Sequence, residues 1–101
     1  WTTRVFKRYF LIMKIKLELF GASRDFSNKE FLEFDIKQKM EIKDFRKEII
    51  YYLEKNFKGN DSFVKIVKNS VFCSEDNNIV NDNFKIIKDQ KIAIIPPIGG
   101  G

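Results

Sequence analysis

Apolar and charged residues alternate along Lys14-Ile-Lys-Leu-Glu-Leu-Phe20, a period of two that predicts a half-buried strand with Ile15, Leu17 and Leu19 on its core face. The period returns at Phe31-Leu-Glu-Phe-Asp-Ile36, with Leu32, Phe34 and Ile36 on one side. Between them Gly21 to Glu30 is polar and rich in turn formers, so the two strands are expected to form an antiparallel hairpin with a long tip. From Ile42 the spacing lengthens. Ile42, Phe45, Ile49, Leu53 and Phe57 recur at three or four residues with Tyr52 on the flank of the stripe, the spacing of an amphipathic helix laid on a sheet. Glu41 and Asp44 suit its N-terminal end, Lys55 and Lys58 its C-terminal end, and Gly59 is placed to stop it. Burying one large side chain contributes roughly 1.5–3 kcal/mol, so Phe45, Ile49 and Leu53 are expected to be essential to the core.

Phe63-Val-Lys-Ile-Val-Lys68 reads as a further strand, and Ser70-Val-Phe-Cys-Ser74 as its short continuation or return. Ser74 to Asn78 and Asn81 to Asn83 carry turn chemistry. Lys91-Ile-Ala-Ile-Ile95 is a nearly continuous apolar run, expected to be an inner strand buried on both faces. The order is therefore β-β-α-β-β with room for one extra short strand, an α+β chain. A single helix must cross between a hairpin and later strands. A central C-terminal strand parallel to the first, with the helix packed across a mixed sheet of four to five strands, satisfies that order. This is the ubiquitin-like β-grasp arrangement, and it projects the residues after Ile95 off one edge of the domain.

Those residues are Pro96-Pro97-Ile98-Gly99-Gly100-Gly101. Proline fixes φ and donates nothing to a ladder, so Pro96 and Pro97 end the strand and hold the next atoms away from the body. Glycine has no Cβ, and a run of it makes a tail slim enough to thread into a narrow pocket of another protein. A frayed terminus is the plainer alternative. The core strand, stiff elbow and slim tail finish together at Gly101, which predicts that its carboxylate is the working group. A free carboxylate is a poor acyl donor, so another enzyme has to activate it. The chain would be a carrier without turnover of its own.

Composition narrows the alternatives. A chain of 101 residues fits one domain, against roughly 100–200 residues per domain in general. Eleven Phe, with many Ile, Leu and Val, supply a modest core. No His is present and Cys73 is the only cysteine, which removes the commonest general base and metal ligand and any internal disulfide. No metal site is expected. Cys73 has no CxxC partner and reads as a buried inert thiol in a reducing, cytoplasmic setting. Of the formal net charge of +5, Arg4, Lys7 and Arg8 account for +3, leaving +2 for residues 13–101. So balanced a body does not resemble a nucleic-acid surface, where cations gather on one face with stacking aromatics. Residues 1–12 are too short for the ~20 residues of a membrane span and lack a signal-peptide cleavage site. They read either as an upstream segment ahead of a natural start at Met13 or as an extension of the first strand, since Tyr9, Leu11 and Met13 keep its period of two. The expected layout is thus an extension (1–12), one domain (13–95) and a tail (96–101).

Lys91-Ile-Ala-Ile-Ile-Pro-Pro-Ile-Gly-Gly-Gly101 resembles the C-terminal signature of the small subunit of molybdopterin synthase, a core strand followed by Pro-Pro, two variable residues and Gly-Gly. By position Pro96 and Pro97 are the prolines, Ile98 and Gly99 the variable pair, and Gly100 and Gly101 the terminal glycines. Met13-Lys-Ile-Lys-Leu-Glu-Leu-Phe-Gly-Ala-Ser-Arg24 is similar to the family's first strand and loop. The resemblance spans residues 13–101 in layout and is specific at the two ends. Asp89-Gln-Lys91 departs from it where the family commonly has a glycine between acids, and residues 70–88 are longer and richer in Asn.

The resemblance implies a sulfur carrier for molybdenum cofactor biosynthesis. Its partners would be a ubiquitin-activator-like adenylating enzyme that uses ATP on the Gly101 carboxylate, a sulfurtransferase that converts the acyl-adenylate to a thiocarboxylate, and the large synthase subunit that receives the tail. No cofactor is expected to stay bound. Gly101 would carry the sulfur, Gly100 and Gly99 would give clearance, and Pro97 and Pro96 would restrict the tail. Related carriers serve thiamine synthesis, cysteine synthesis, tRNA thiolation or protein conjugation, so another pathway, or a ubiquitin-like modifier joined through Gly101 to lysines, is the alternative. A plain interaction module with an idle tail is the third.

Overall fold

The computed structural model describes residues 12–97. Strand β1 (Met13–Leu19) pairs antiparallel with β2 (Phe31–Ile36), from Met13 opposite Ile36 to Glu18 opposite Phe31. Two-residue β3 (Met40–Glu41) leads into helix α1 (Ile42–Asn56), followed by helix α2 (Asp61–Asn69). Strands β4 (Val71–Cys73), β5 (Ile79–Val80), β6 (Lys85–Ile86) and β7 (Gln90–Ile95) complete the chain. The main sheet has the order β2-β1-β7-β4-β5, and β3 and β6 form a separate ribbon. As the order of the elements suggests, β7 runs parallel to β1 at the centre of the sheet, and α1 packs across one face.

The core is where the two periods meet. Ile15, Leu17 and Leu19 of β1, Ile92 and Ile94 of β7 and Phe72 of β4 face Ile42, Phe45, Ile49 and Leu53 of α1, all essentially without solvent exposure. Phe34 meets Phe45 edge-on with ring centroids 5.3 Å apart, a favoured aromatic geometry. At the start of α1, Asp44 accepts the backbone N–H of Glu41 at 3.3 Å. At its end Gly59 takes φ +79 in the turn to α2, a conformation that glycine adopts at no steric cost.

Three expectations are corrected. Residues 63–68 are not a strand but lie within α2. Asn60 caps that helix, its side-chain oxygen accepting the Phe63 N–H at 3.2 Å, and Phe63, Ile66 and Val67 sit at helical spacing on its inner side. A six-residue stretch with four apolar residues satisfies either period, and here the Asn-Asp cap decides. The long tip of the first hairpin is not simply turn. Gly21–Phe26 is a 3-10 helix that buries Phe26 against Phe63, with centroids 5.1 Å apart. Finally, β7 is buried on one face only: Ile92 and Ile94 are inside, while Ile95 is 37% exposed. The strand lies centrally, but among the described residues no second layer covers its other face.

The departure at Asp89-Gln90-Lys91 has a simple outcome. Gln90 opens β7, and among the described residues Asn77 is the only non-glycine with positive φ, so Gln90 needs no left-handed turn. Asn77 (φ 64) sits instead in the turn between β4 and β5, where Asn tolerates that region well. The readings that placed Tyr9 and Leu11 in an extended first strand fall outside the described residues.

Candidate functional site

The functional residues expected from the sequence lie at the end of β7, and they divide there. Pro96 is buried and Pro97 is exposed, while Gly99, Gly100 and Gly101 lie outside the described residues. The root of the tail is therefore built by the elements around β7. On one side, β1 runs alongside as far as Leu19 opposite Ile94; on the other, β4 places Val71 opposite Ile95. Because a period of two turns successive side chains to opposite faces, Ile94 anchors the strand in the core and Ile95 stands on the open face of the sheet.

Beyond the last β1–β7 pair the two segments stay close to each other. Gly21 has φ +56, and a Cβ placed on it would lie 3.8 Å from Cδ of Pro96. The Pro96 ring thus rests close to the turn that leads into the 3-10 helix. Ser23, itself fully buried, ties that turn: its Oγ accepts the Phe20 N–H at 3.0 Å and its hydroxyl donates to the Phe20 carbonyl at 2.6 Å.

Apolar side chains lie beside this root on the sheet face opposite α1. Phe20, Val71 and Ile95 are 38%, 44% and 37% exposed, and Ile79, opposite Cys73, is 73% exposed. Ala93 and Cys73 are paired and half-buried between them. Cys73 is therefore less buried than its sequence setting suggests. Scattered apolar residues are ordinary on a surface, but a grouped set beside the end of the central strand is suited to a protein partner. Charges hold the rest of this face: Lys91 meets Glu18 at 3.5 Å, Lys14 meets Asp35 at 3.4 Å, and Lys16 lies 4.1 Å from the centre of the Phe31 ring.

Side chains also complete the ends of the short strands. The Lys91 N–H, beyond the end of β4, donates to Glu75 Oε1 at 3.0 Å, and the Lys14 N–H donates to Asp89 Oδ1 at 2.9 Å. Both bonds fix β7 relative to its neighbours. Arg46, on the flank of α1, holds the start of β4. Its guanidinium donates to the carbonyls of Val67 at 2.7 Å and Ser70 at 2.8 Å, donates to Asp82 at 2.9 Å, and lies 4.8 Å from the centre of the Phe72 ring. Sequence reasoning missed Arg46, Gly21 and the apolar group around the tail. Only the last left a trace, as apolar residues at outward positions of alternating strands (Phe20, Val71, Ile79).

A separate open depression of about 450 Å³ is lined by Lys39, Met40, Glu41, Lys43, Asp44, Lys85 and Ile87. Glu41 sits between two of these lysines, 3.1 Å from Lys85 and 3.5 Å from Lys43. The hydrogen bond from Lys85, with the nearby Lys43 charge, holds its carboxyl below the usual carboxylate range. This is a surface ion-pair network with one lysine in excess, and none of its residues belongs to the tail root.

No family model and no curated protein matches the chain. Solved structures do. A Pyrococcus furiosus protein assigned as molybdopterin converting factor, subunit 1, superposes with a TM-score of 0.63 at 16% identity, over 85% of this chain and 99% of that one. The small archaeal modifier protein 1 of Methanosarcina acetivorans gives 0.58 at 17% identity, over 90% and 99%. The ubiquitin of Caldiarchaeum subterraneum gives 0.55 at 13%, over 90% and 100%. At these identities the likeness is one of fold, and it agrees with the strand order and the parallel β1–β7 pair: the chain has the ubiquitin-like β-grasp fold.

Proposed function

We propose that this chain is a ubiquitin-like sulfur carrier that works through Gly101 as the small subunit of molybdopterin synthase. The observation that carries the reading is the seating of the tail root. Pro96 is buried at the end of the central strand, Pro97 is exposed beyond it, and exposed apolar residues (Phe20, Val71, Ile95) stand beside the point of departure, with Ile79 further along the same face. A partner that docks on that group meets the tail in a defined place.

The chemistry asked of the chain is presentation. The Gly101 carboxylate attacks the α-phosphate of ATP in an adenylating partner and pyrophosphate leaves; the terminal sulfur of a sulfurtransferase persulfide then displaces AMP, and a second thiol cleaves the resulting acyl disulfide, forming a new disulfide and releasing the thiocarboxylate. Gly99 and Gly100 keep the approach slim. Ordering backbone costs roughly 1–2 kcal/mol per residue, and the fixed φ of Pro96 and Pro97 reduces what insertion must overcome. The large synthase subunit then receives the tail, and sulfur passes to cyclic pyranopterin monophosphate.

A second reading is favoured by the fold likeness to small archaeal modifier protein 1 and to ubiquitin: conjugation of Gly101 to lysines of other proteins. The two readings share an activating enzyme and differ in the acceptor. The thiocarboxylated protein, mixed with the large synthase subunit and cyclic pyranopterin monophosphate from the same organism, is expected to yield molybdopterin. Failure to do so, with isopeptide-linked adducts forming in lysate plus ATP, would replace the carrier reading with the modifier one.

A further inference from the structure

We propose that the open edge of β2 is a docking site for an extended, basic segment of a partner protein, which joins the main sheet there as a further strand. The proposal does not depend on the carrier reading. β2 lies at one end of the sheet and pairs with β1 alone. Two hydrogen bonds fix the phase of that pairing. The Leu19 N–H donates to the Glu30 carbonyl at 2.9 Å, one step beyond the pair of Glu18 and Phe31. Bonded and non-bonded pairs alternate in an antiparallel ladder, so Leu32, Phe34 and Ile36 turn their N–H and C=O groups toward β1. The Lys14 N–H of β1 points the other way, to Asp89 at 2.9 Å, as the same phase requires. It follows that Phe31, Glu33 and Asp35 each turn one N–H and one C=O to the free edge. Among the described residues no hydrogen bond engages these groups.

The side chains along this edge select the occupant. Glu33 and Asp35 are exposed on the sheet face opposite α1. Asp35 meets Lys14, but no ion pair engages Glu33 among the described residues, because its register neighbour Lys16 lies over the Phe31 ring instead. On the other face Leu32 and Phe34 are half-buried, and Phe34 stands edge-on to Tyr52 of α1 with centroids 5.9 Å apart. Exposed Glu48 lies one turn before Tyr52 on the same flank of α1. An added strand thus meets acids on one side and apolar surface on the other, which fits alternating basic and apolar residues. A second copy of the chain fits poorly. In a two-fold β2–β2 pair centred on Glu33, that carboxylate would face its own copy, and like charges directly opposite are unfavourable. The same acids that guard the edge against self-pairing therefore favour a basic partner.

The test uses the full chain and two blocked peptides, Thr-Lys-Val-Lys-Val-Thr and its acidic counterpart Thr-Glu-Val-Glu-Val-Thr. Run antiparallel to β2, the first sets its lysines beside Asp35 and Glu33 and its valines beside Phe34 and Leu32. Amide NMR with hydrogen exchange is the readout. In the free chain the Phe31, Glu33 and Asp35 amides should exchange quickly and those of Leu32 and Phe34 slowly. The basic peptide should shift and protect the first three with a Kd of about 1 mM or tighter, and the acidic peptide should bind at least about tenfold more weakly. Glu33→Lys should weaken the basic peptide by a similar factor. Glu33→Pro removes an edge donor at a position where strands tolerate proline, so it should abolish the protection while leaving the α1 amides in place. Slow exchange of the three amides before peptide is added would overturn the proposal, since the edge would already be covered. So would equal binding of the two peptides, no saturable binding up to the solubility limit, shifts centred on other residues, or a dimer of the chain paired through β2. If Glu33→Pro does not fold, the peptide pair and Glu33→Lys decide.

Discussion

Replacing Arg46 by Met tests how the start of β4 is held. Met keeps an apolar stem of similar length and removes the donors that reach Val67, Ser70 and Asp82. The Arg46 side chain is 19% exposed, so the two carbonyls it serves are only partly able to recruit water in its place. Hydrogen bonds to charged groups contribute about 1.5–3 kcal/mol each when buried. Partial solvent access reduces the two carbonyl bonds together to about 2 kcal/mol. The ion pair with Asp82, whose side chain is 59% exposed, adds about 0.2–1 kcal/mol, and the contact with the Phe72 ring about 0.5–1 kcal/mol. The expected loss is about 3–4 kcal/mol, a large share of the 5–15 kcal/mol typical of a domain. For a domain of this size it corresponds to a fall in Tm of at least about 12 °C. Thermal and urea unfolding followed by circular dichroism measure it. Arg46→Lys, which keeps the charge and loses the planar fork, should fall between the two. A Tm for Arg46→Met within about 4 °C of wild type, equivalent to less than about 1 kcal/mol, would refute the assignment of Arg46 as a clamp.

Two further predictions concern the surface. Val71→Glu places a charge in the apolar group beside the tail root; it should leave Tm nearly unchanged and weaken activation by the adenylating partner at least about tenfold, since desolvating an unpaired charge at an interface costs more than 1.4 kcal/mol. Activation kinetics equal to wild type would move the docking surface elsewhere. Glu41 has a folded-state pKa below its ordinary value, so its contribution to stability is present above the ordinary carboxylate pKa and is lost as pH falls through the lower folded value. Melting temperatures of wild type and Glu41→Gln should therefore differ most near neutral pH and converge in acid, and a difference that persists unchanged to strongly acidic pH would contradict this.

The elements with a sustained period were legible in the sequence. The alternation of Lys14–Leu19 and Phe31–Ile36 and the stripe from Ile42 to Leu53 span enough residues for the period to be unambiguous, and their burial follows it. Phe63–Lys68 was too short for that, and its β-branched content favoured the wrong assignment; the deciding signal was the polar Asn60-Asp61 pair ahead of it. Arg46 gave no warning because a cation on a helix flank usually faces solvent, and its role depends on α2 ending where it does. Gly21 was hidden for a related reason. Pro96, whose ring lies 3.8 Å from where a Cβ on Gly21 would stand, is 75 residues away, and no local pattern reports a neighbour at the end of a parallel pair. The chemistry of the candidate site was read from Pro96 to Gly101 by motif, whereas the apolar surroundings of its root emerged only from the register of β1, β7 and β4.

Intact-protein mass spectrometry most directly tests whether Gly101 carries sulfur. The full chain would be incubated with ATP, a sulfur source, a sulfurtransferase and the adenylating enzyme of the same organism. The carrier account predicts a mass increase equal to one O-to-S replacement, mapped by fragmentation to Gly101 and abolished by deletion of Gly100 and Gly101. An unchanged mass under conditions that thiocarboxylate a known carrier, or the same increase in the deletion variant, would contradict it.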